Sequence, residues 1–210
     1  MLVKTQFGWK LCLITFCLML FGAPNILAKP KILALGDSLT FGYEVAAEKT
    51  WPALLQKKLK DAGHPEAEVL NAGTSGATTA FGQQTLRFHL RRHKPDLLIY
   101  GLGANDGLRG HEPASIEKNI RETIQYAQKQ NMKVLLLGMK APPNYGSEFP
   151  EEFEKLFQRI AKDLKIEFLP FYLDGVAGKP ELNQPDGIHP NEKGYEIIAT
   201  NIFNKVKTIL

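Results

Sequence analysis

The stretch that decides the fold is Ile32-Leu33-Ala34-Leu35-Gly36-Asp37-Ser38-Leu39-Thr40-Phe41-Gly42-Tyr43. It opens with a short apolar run, typical of a buried strand, which stops at Gly36-Asp37-Ser38. A polar turn at the end of a buried parallel strand is where open α/β sheets bind ligands. Ser38 is therefore a candidate nucleophile. Because Gly, Asp and Ser are also common turn residues, an ordinary strand-to-helix turn explains these residues equally well until a base, an acid and an oxyanion hole are found.

Outward from this stretch, short apolar runs alternate with amphipathic patterns of helical period. The alternation predicts a three-layer α/β/α sandwich, in which helices cover both faces of a central parallel sheet of about five strands. The carboxyl ends of such strands meet along one edge, so residues just after each strand should gather there. Strands are predicted at Lys31–Leu35, Glu68–Asn71, Asp96–Leu102, Lys133–Met139 and Ile166–Pro170.

The predicted helices are marked by capping residues and by apolar side chains at helical spacing. Thr50, Ser115 and Asn191 are expected to cap three of them. Two further helices are expected around Gln83–His93 and from Phe153 to Leu164. The helix beginning near Ser115 should bury Ile116, Ile120, Ile124 and Ala127.

Residues 1–28 have the pattern of a secretory signal peptide, which leaves residues 29–210 as a single domain. Lys4 and Lys10 precede an apolar run, Leu11–Phe21, that is too short for a comfortable membrane span, and Ala28 offers a small residue for cleavage. An uncleaved anchor is the main alternative. A lipoprotein is less well supported, because both cysteines lie inside the apolar run without the small residues that usually precede a lipidated cysteine. The pattern predicts an exported protein, either periplasmic or secreted.

Composition excludes several classes of function. Both cysteines, Cys12 and Cys17, lie in the leader, so the mature chain has no disulfide and no thiol metal site. The leader holds two lysines and no acid, so its removal lowers the net charge from +4 to +2, too balanced to argue for a nucleic-acid partner. We expect no metal or cofactor and a monomer. A small basic cluster is explained by a solvated helix face; it comprises Arg87, Arg91, Arg92 and Lys94.

A base and an acid for Ser38 are found near the carboxyl terminus, in Asp186-Gly187-Ile188-His189-Pro190. A serine hydroxyl is a weak nucleophile until a base removes its proton, and histidine suits that task near neutral pH. Asp186 could fix the tautomer of His189 and stabilise the imidazolium. A capping and turn segment is the alternative explanation.

Donors for an oxyanion are found in two other glycine-rich stretches. The Asn105 amide and the Gly76 backbone N–H could both donate to a developing oxyanion. Two rival interpretations remain open here. Gly101-Leu102-Gly103 begins like a dinucleotide fingerprint, although Asp106 stands where its third glycine should be, and Ser75 nearly fits a nucleophile elbow.

Taken together, these stretches resemble the SGNH, or GDSL, hydrolase family. Gly36–Leu39 is similar to its first block, Gly76 to its second, Gly103–Asp106 to its third, and Asp186 with His189 to its last. The similarity spans roughly residues 31–205. More narrowly, the chain is similar to the bacterial periplasmic thioesterase/lysophospholipase/arylesterase branch, through Trp51–Leu55, Gly103–Gly110, Asn144–Gly146 and Asp186–Asn191.

The resemblance implies a flavodoxin-like fold and a serine esterase that needs no cofactor or metal. Ser38, His189 and Asp186 would form the catalytic triad. Ser38, Gly76 and Asn105 would form the oxyanion hole, and Asn144 and Tyr145 would bind substrate. The expected substrates are small-molecule carboxylic esters, thioesters or lipids such as lysophospholipids, with transient contact to membrane lipid. The alternatives are a carbohydrate O-acetyl esterase and, from another class, a non-catalytic module that binds a small ligand.

Overall fold

The structure is a computed structural model that describes residues 29–141 and 148–210. Within these residues the chain forms five strands and seven α-helices, and each strand is followed by one or two of the helices. The strands are β1 (Lys31–Gly36), β2 (Glu68–Gly73), β3 (Leu97–Gly101), β4 (Lys133–Leu137) and β5 (Glu167–Leu169). The helices are α1 (Ser38–Phe41), α2 (Trp51–Asp61), α3 (Gly82–Leu90), α4 (Ala104–Leu108), α5 (Pro113–Lys129), α6 (Glu148–Leu164) and α7 (Glu192–Val206).

The five strands form one parallel sheet in the order β2-β1-β3-β4-β5. On one side of the sheet α2 packs against α7, and on the other side α5 packs against α3 and α6. The predicted three-layer sandwich is therefore confirmed. Connections leave β1 and β3 in opposite directions, which makes the gap above their carboxyl ends the place where doubly wound sheets bind ligands.

The buried core explains why the apolar pattern predicted the elements well. β3 is buried along its whole length, as a strand covered on both faces should be. All five predicted strands are present, with ends that differ from the prediction by up to two residues. The predicted inward side of α5 is fully buried; it comprises Ile116, Ile120, Ile124 and Ala127.

The three predicted helix caps have different outcomes. Thr50 occupies the N-cap position of α2, as predicted, but its hydroxyl donates to the Ala47 carbonyl at 2.8 Å instead of accepting a bond from the helix. The helix predicted to begin at Ser115 begins at Pro113, because proline is well suited to the first helical turn. Asn191 does cap α7, since its side chain accepts hydrogen bonds from the backbone N–H groups of Lys193 and Gly194.

The leader predicted at residues 1–28 lies outside the described residues. None of the helices within residues 29–141 and 148–210 has both the length and the apolar character needed to cross a membrane.

The edge above β1 and β2 is unusually tight, and this fixes the position of Ser38. A Cβ atom on Gly73, the last residue of β2, would lie 2.2 Å from the backbone nitrogen of Phe41. Only a residue without a side chain allows α1 to cross the end of β2 so closely. The short helix that begins at Ser38 is thereby held against the sheet.

Candidate active site

Ser38 stands at the first position of α1, directly after the turn that ends β1. Asp37 caps this helix: its Oδ1 atom accepts a hydrogen bond of 3.0 Å from the Leu39 backbone N–H. The helix ends after four residues at Gly42, which has a φ of +88°. A residue with a Cβ atom adopts that conformation only at a cost, so the glycine permits the sharp return of the chain. The hydroxyl of Ser38 is left facing the gap above β1 and β3.

His189 reaches this hydroxyl from the loop that precedes α7. Its Nε2 atom lies 2.9 Å from Ser38 Oγ, and its Nδ1 atom lies 2.6 Å from Asp186 Oδ2. The other carboxylate oxygen of Asp186 accepts from the backbone N–H groups of Ile188 and His189 at 2.9 and 3.0 Å. An ionised carboxylate only accepts, so Nδ1 donates to it and Nε2 of the neutral ring accepts from the serine hydroxyl.

The two candidate oxyanion donors from other loops border the same space. The Asn105 side-chain amide donates to the Ala77 carbonyl at 3.0 Å, and a second amide hydrogen remains for another acceptor. Gly76 adopts a φ of +78°, a conformation that favours glycine. Within residues 29–141 and 148–210, neither the Ser38 nor the Gly76 backbone N–H donates a hydrogen bond.

These groups surround one cavity of about 260 Å³. Ser38, Gly76, Asn105 and His189 contribute to its lining, while Asp186 stands behind the histidine. The remaining wall is mainly apolar; it includes Leu39, Tyr43, Ala104, Leu108 and Ile188. The cavity can therefore hold an apolar group next to a hydroxyl, an imidazole and several donors. In the described ranges, no three His, Cys, Asp or Glu side chains are grouped so that they could hold a metal ion.

The pKa values of the two carboxyl groups near Ser38 are shifted in opposite directions. Burial raises the pKa of Asp37 to about 7, because a fully enclosed carboxylate loses its hydration. The hydrogen bond from His189 lowers the pKa of Asp186 to about 2, with further help from backbone N–H donors. Near neutral pH, Asp186 is the carboxylate that is firmly ionised beside the imidazole.

Comparison with known proteins agrees with this geometry. The model of the GDSL-like lipase/acylhydrolase family matches residues 34–197. The chain belongs to this family. It is 37% identical to Esterase TesA of Pseudomonas aeruginosa over 198 residues, which cover 94% of this chain and 98% of that protein.

A second relative is Thioesterase 1/protease 1/lysophospholipase L1 of Escherichia coli, which is 37% identical over 193 residues, covering 92% of this chain and 89% of that protein. The crystal structure of TesA superposes with a TM-score of 0.82 and 38% identity, over 86% of this chain and 99% of that one. The family resemblance predicted from the four sequence blocks is thereby confirmed. The names of these relatives also confirm the prediction that the protein is an enzyme.

The two rival interpretations of the glycine-rich stretches fit the acylhydrolase structure poorly. Ser75 lines the cavity, but no hydrogen bond joins its hydroxyl to a histidine or carboxylate in the part of the chain that the structure describes. Nor does Ser75 occupy a strand-to-helix elbow, since β2 ends at Gly73 and α3 begins at Gly82. The carboxylate of Asp106 is buried and accepts from the Thr79 N–H and hydroxyl at 2.8 and 2.7 Å, so it anchors a loop.

Three features of the site were missed by sequence reasoning. The Tyr43 ring lies 4.6 Å from the His189 ring, centroid to centroid. Gln184 donates to the Tyr43 carbonyl at 2.8 Å, and this bond joins the loop that carries His189 to the residue that follows Gly42. Arg109 donates to the Gly76 carbonyl at 3.2 Å. Tyr43 ends the stretch Ile32–Tyr43, and Arg109 lies three residues after Gly103–Asp106, but nothing in their local sequence indicates these partners.

The predicted substrate-binding residues Asn144 and Tyr145 lie outside the described residues. The other predicted site residues all fall within the described ranges, and they lie at the carboxyl edge of the sheet.

Proposed function

We propose that this acylhydrolase is a serine esterase in which Ser38, His189 and Asp186 form the catalytic triad. The observation that carries the proposal is the continuous chain of hydrogen bonds from Ser38 Oγ to His189 Nε2 and from His189 Nδ1 to Asp186 Oδ2, at 2.9 and 2.6 Å. This is the geometry in which a neutral imidazole accepts the serine proton while an ionised carboxylate fixes its tautomer.

In the proposed reaction, Ser38 Oγ attacks the carbonyl carbon of the substrate and its proton passes to His189 Nε2. The tetrahedral intermediate collapses, and the leaving alcohol or thiol takes the proton from His189. Water then attacks the acyl-enzyme and gives its proton to His189, and collapse releases the acid and restores the Ser38 hydroxyl. Asp186 stays ionised throughout and orients the imidazole, consistent with its lowered pKa.

The oxyanion is proposed to accept hydrogen bonds from the Ser38 N–H, the Gly76 N–H and the Asn105 amide. Two observations support this assignment: both backbone N–H groups are without acceptors in residues 29–141 and 148–210, and the Asn105 amide has one hydrogen to spare. Donors that are fixed in place before the reaction stabilise developing charge without reorganisation.

The proposed substrates are carboxylic esters, acyl thioesters and lysophospholipids. The relatives are named as esterase, thioesterase and lysophospholipase, and the apolar cavity wall suits an acyl chain or aryl group. Coenzyme A esters are less plausible natural substrates if the leader directs export, as its sequence pattern indicates. A periplasmic or secreted location and transient contact with membrane lipid belong to the same proposal.

The proposal is tested by hydrolysis of p-nitrophenyl esters of increasing chain length and of an acetylated sugar. Ser38→Ala should lower kcat by about three or more orders of magnitude without changing the melting temperature. Ser75→Ala is the matched control, since its hydroxyl faces the same cavity, and it should retain activity. Activity that survives in Ser38→Ala would refute the triad. Preference for the acetylated sugar would favour the O-acetyl esterase, and a wild type inactive on every ester would favour a binding module.

A further inference from the structure

α3 and the turn after it form a concentration of positive charge that the proposed hydrolysis does not use. From residue 69 to residue 95 the sequence contains no Asp or Glu. The same stretch contributes four exposed cations, Arg87, Arg91, Arg92 and Lys94. With the net charge of the mature chain near zero, the uncompensated charge is local to this surface.

Two aromatic rings lie among these cations. Phe81, just before α3, is 54% exposed, and Phe88 within it is 49% exposed. Phe81, Gln84, Phe88 and Arg91 follow one another at helical spacing and share one side of the helix. The opposite side of α3 packs into the core, where Leu86 is fully buried. We call the outward side, with its two rings and four cations, the α3 surface.

The charges of the α3 surface are not neutralised by acids of the described chain, although the Arg87 guanidinium lies 4.0 Å from the centroid of the Tyr126 ring. None of them makes an ion pair within residues 29–141 and 148–210. The Arg92 guanidinium lies 4.4 Å from the centroid of the Phe88 ring, so charge and ring are presented together. A cavity of about 390 Å³ opens beside them, lined by Gln83, Gln84, Arg87, Phe88 and Arg91 among others; its one acid, Glu122, pairs with Lys118 at 4.0 Å.

We propose that the α3 surface binds a membrane bilayer that carries anionic phospholipids. Arginine and lysine reach lipid phosphates while aromatic rings enter the boundary between headgroups and acyl chains, and this surface presents both chemistries side by side. Exposed rings alone would suit many partners. Their combination with four cations that form no ion pair within residues 29–141 and 148–210 favours a partner surface that is anionic and has an apolar layer just below its charged groups.

The α3 surface also lies close to the candidate active site. Phe81 is only five residues after Gly76, which lines the cavity of Ser38, so they are within about 18 Å of each other. Docking would therefore hold the cavity near the lipid surface. Bilayer binding deepens the proposed function by placing its transient contact with membrane lipid on this surface, and it does not depend on the triad being correct.

The test is flotation of the full chain with vesicles of phosphatidylcholine alone or mixed with phosphatidylglycerol, at low salt. Affinity should be at least tenfold higher for the anionic vesicles and should fall in 0.5 M salt, where the Debye length is only about 4 Å. Arg91→Gln with Arg92→Gln should lower affinity about fivefold per charge, or about 25-fold in all. Phe88→Ser should lower it about fivefold through lost apolar burial.

The matched control is Lys57→Gln with Lys60→Gln, which removes the same charge from α2, in the other helical layer. This control should retain most of the binding, and every variant should hydrolyse a water-soluble ester at the wild-type rate. All variants share residues 1–28, so any contribution of that apolar segment is equal among them.

Three results would overturn the proposal. The first is equal affinity of the wild type for neutral and anionic vesicles, and the second is an equal loss in the arginine and lysine variants. The third is a reversible dimer, seen by analytical ultracentrifugation without lipid, that the arginine substitutions abolish, since it would identify a second copy as the occupant.

Discussion

The nucleophile turn, Gly36–Gly42, and the histidine loop, Gln184–Pro190, meet at one cavity but are built in opposite ways. The turn grows out of a central strand and is enclosed by the core, so that Asp37 has no exposed surface. The loop lies at the outside, where the side chain of Asp186 is 37% exposed. Asp186 accepts local hydrogen bonds from the backbone N–H groups of Ile188 and His189, and Gln184 donates a hydrogen bond to the Tyr43 carbonyl; these bonds help to hold the loop in place.

This difference explains why two carboxyl groups so close to one serine serve different purposes. Asp37 is deprived of water, which raises its pKa to about 7 and suits it to capping α1 and holding the turn. Asp186 keeps some hydration and receives several N–H donors, which lower its pKa to about 2 and suit it to orienting a cation that forms during reaction. On the proposed assignment, the carboxylate that lies next to Ser38 in the sequence is therefore not the one that orients His189.

The largest difference between the two regions is expected when Asp186 and Asp37 are each replaced with asparagine. Asp186→Asn should lower kcat by about 10³- to 10⁴-fold, because an amide can stabilise the wrong tautomer of His189. Asp37→Asn is the matched control, since asparagine can still accept from the Leu39 N–H, and its kcat should change much less. The measurement is steady-state ester hydrolysis of both variants at equal folded fraction. A larger loss in Asp37→Asn would reverse the roles assigned here.

The sheet side of the site is tested at Asn105, beyond β3. Asn105→Ala should lower kcat by about 10²- to 10³-fold and leave KM nearly unchanged, because the lost hydrogen bond forms only with the oxyanion. The alanine also frees the Ala77 carbonyl, so Arg109→Ala serves as control, since it frees the neighbouring Gly76 carbonyl and removes no oxyanion donor. If both variants lose kcat equally, loop support accounts for the effect and the oxyanion role of Asn105 is wrong.

The smallest expected effect is on stability and concerns Asp37. Its folded-state pKa of about 7 exceeds the usual value near 4, so the folded protein binds a proton that the unfolded chain has released between these pH values. The stability that this proton supplies is complete below pH 4 and is lost as pH rises through 7.

Between pH 5 and pH 7.5 the wild type should therefore lose about 2 kcal/mol of unfolding free energy relative to Asp37→Asn. Urea denaturation of both proteins across this range measures the difference, with Asp61→Asn as a control that should follow the wild type, because the Asp61 side chain at the end of α2 is exposed. Parallel curves for wild type and Asp37→Asn would contradict the raised pKa.

The contrast between the two regions also separates what the sequence could predict from what it could not. Burial on both faces leaves a continuous apolar run, so strands such as β3 were predicted, and helical spacing predicted the inward side of α5. The side-chain cap at Asn191 was predictable. The hydrogen bond of the Thr50 hydroxyl was not, because the nearby Ala47 carbonyl competes with the helix for that hydroxyl.

The candidate site divides in the same way. The residues of its proposed triad and oxyanion hole fall in short blocks whose residue types each suggest a role. The contact of Tyr43 with His189 and the bond from Gln184 to the Tyr43 carbonyl join positions that are 141 or more residues apart. Such contacts are created by the packing of the final loop against the first turn, and no local pattern records them.

The central claim is that the hydrogen-bonded chain from Asp186 through His189 makes Ser38 the nucleophile. The most direct measurement is mass spectrometry of the intact and digested protein after reaction with a fluorophosphonate, which bonds covalently to an activated serine and releases fluoride. We expect one adduct per chain, on the peptide containing Ser38, and loss of all esterase activity. In Asp186→Asn the reaction with the fluorophosphonate should be slower by several orders of magnitude. An adduct on Ser75, or full activity after Ser38 has been modified, would contradict this claim.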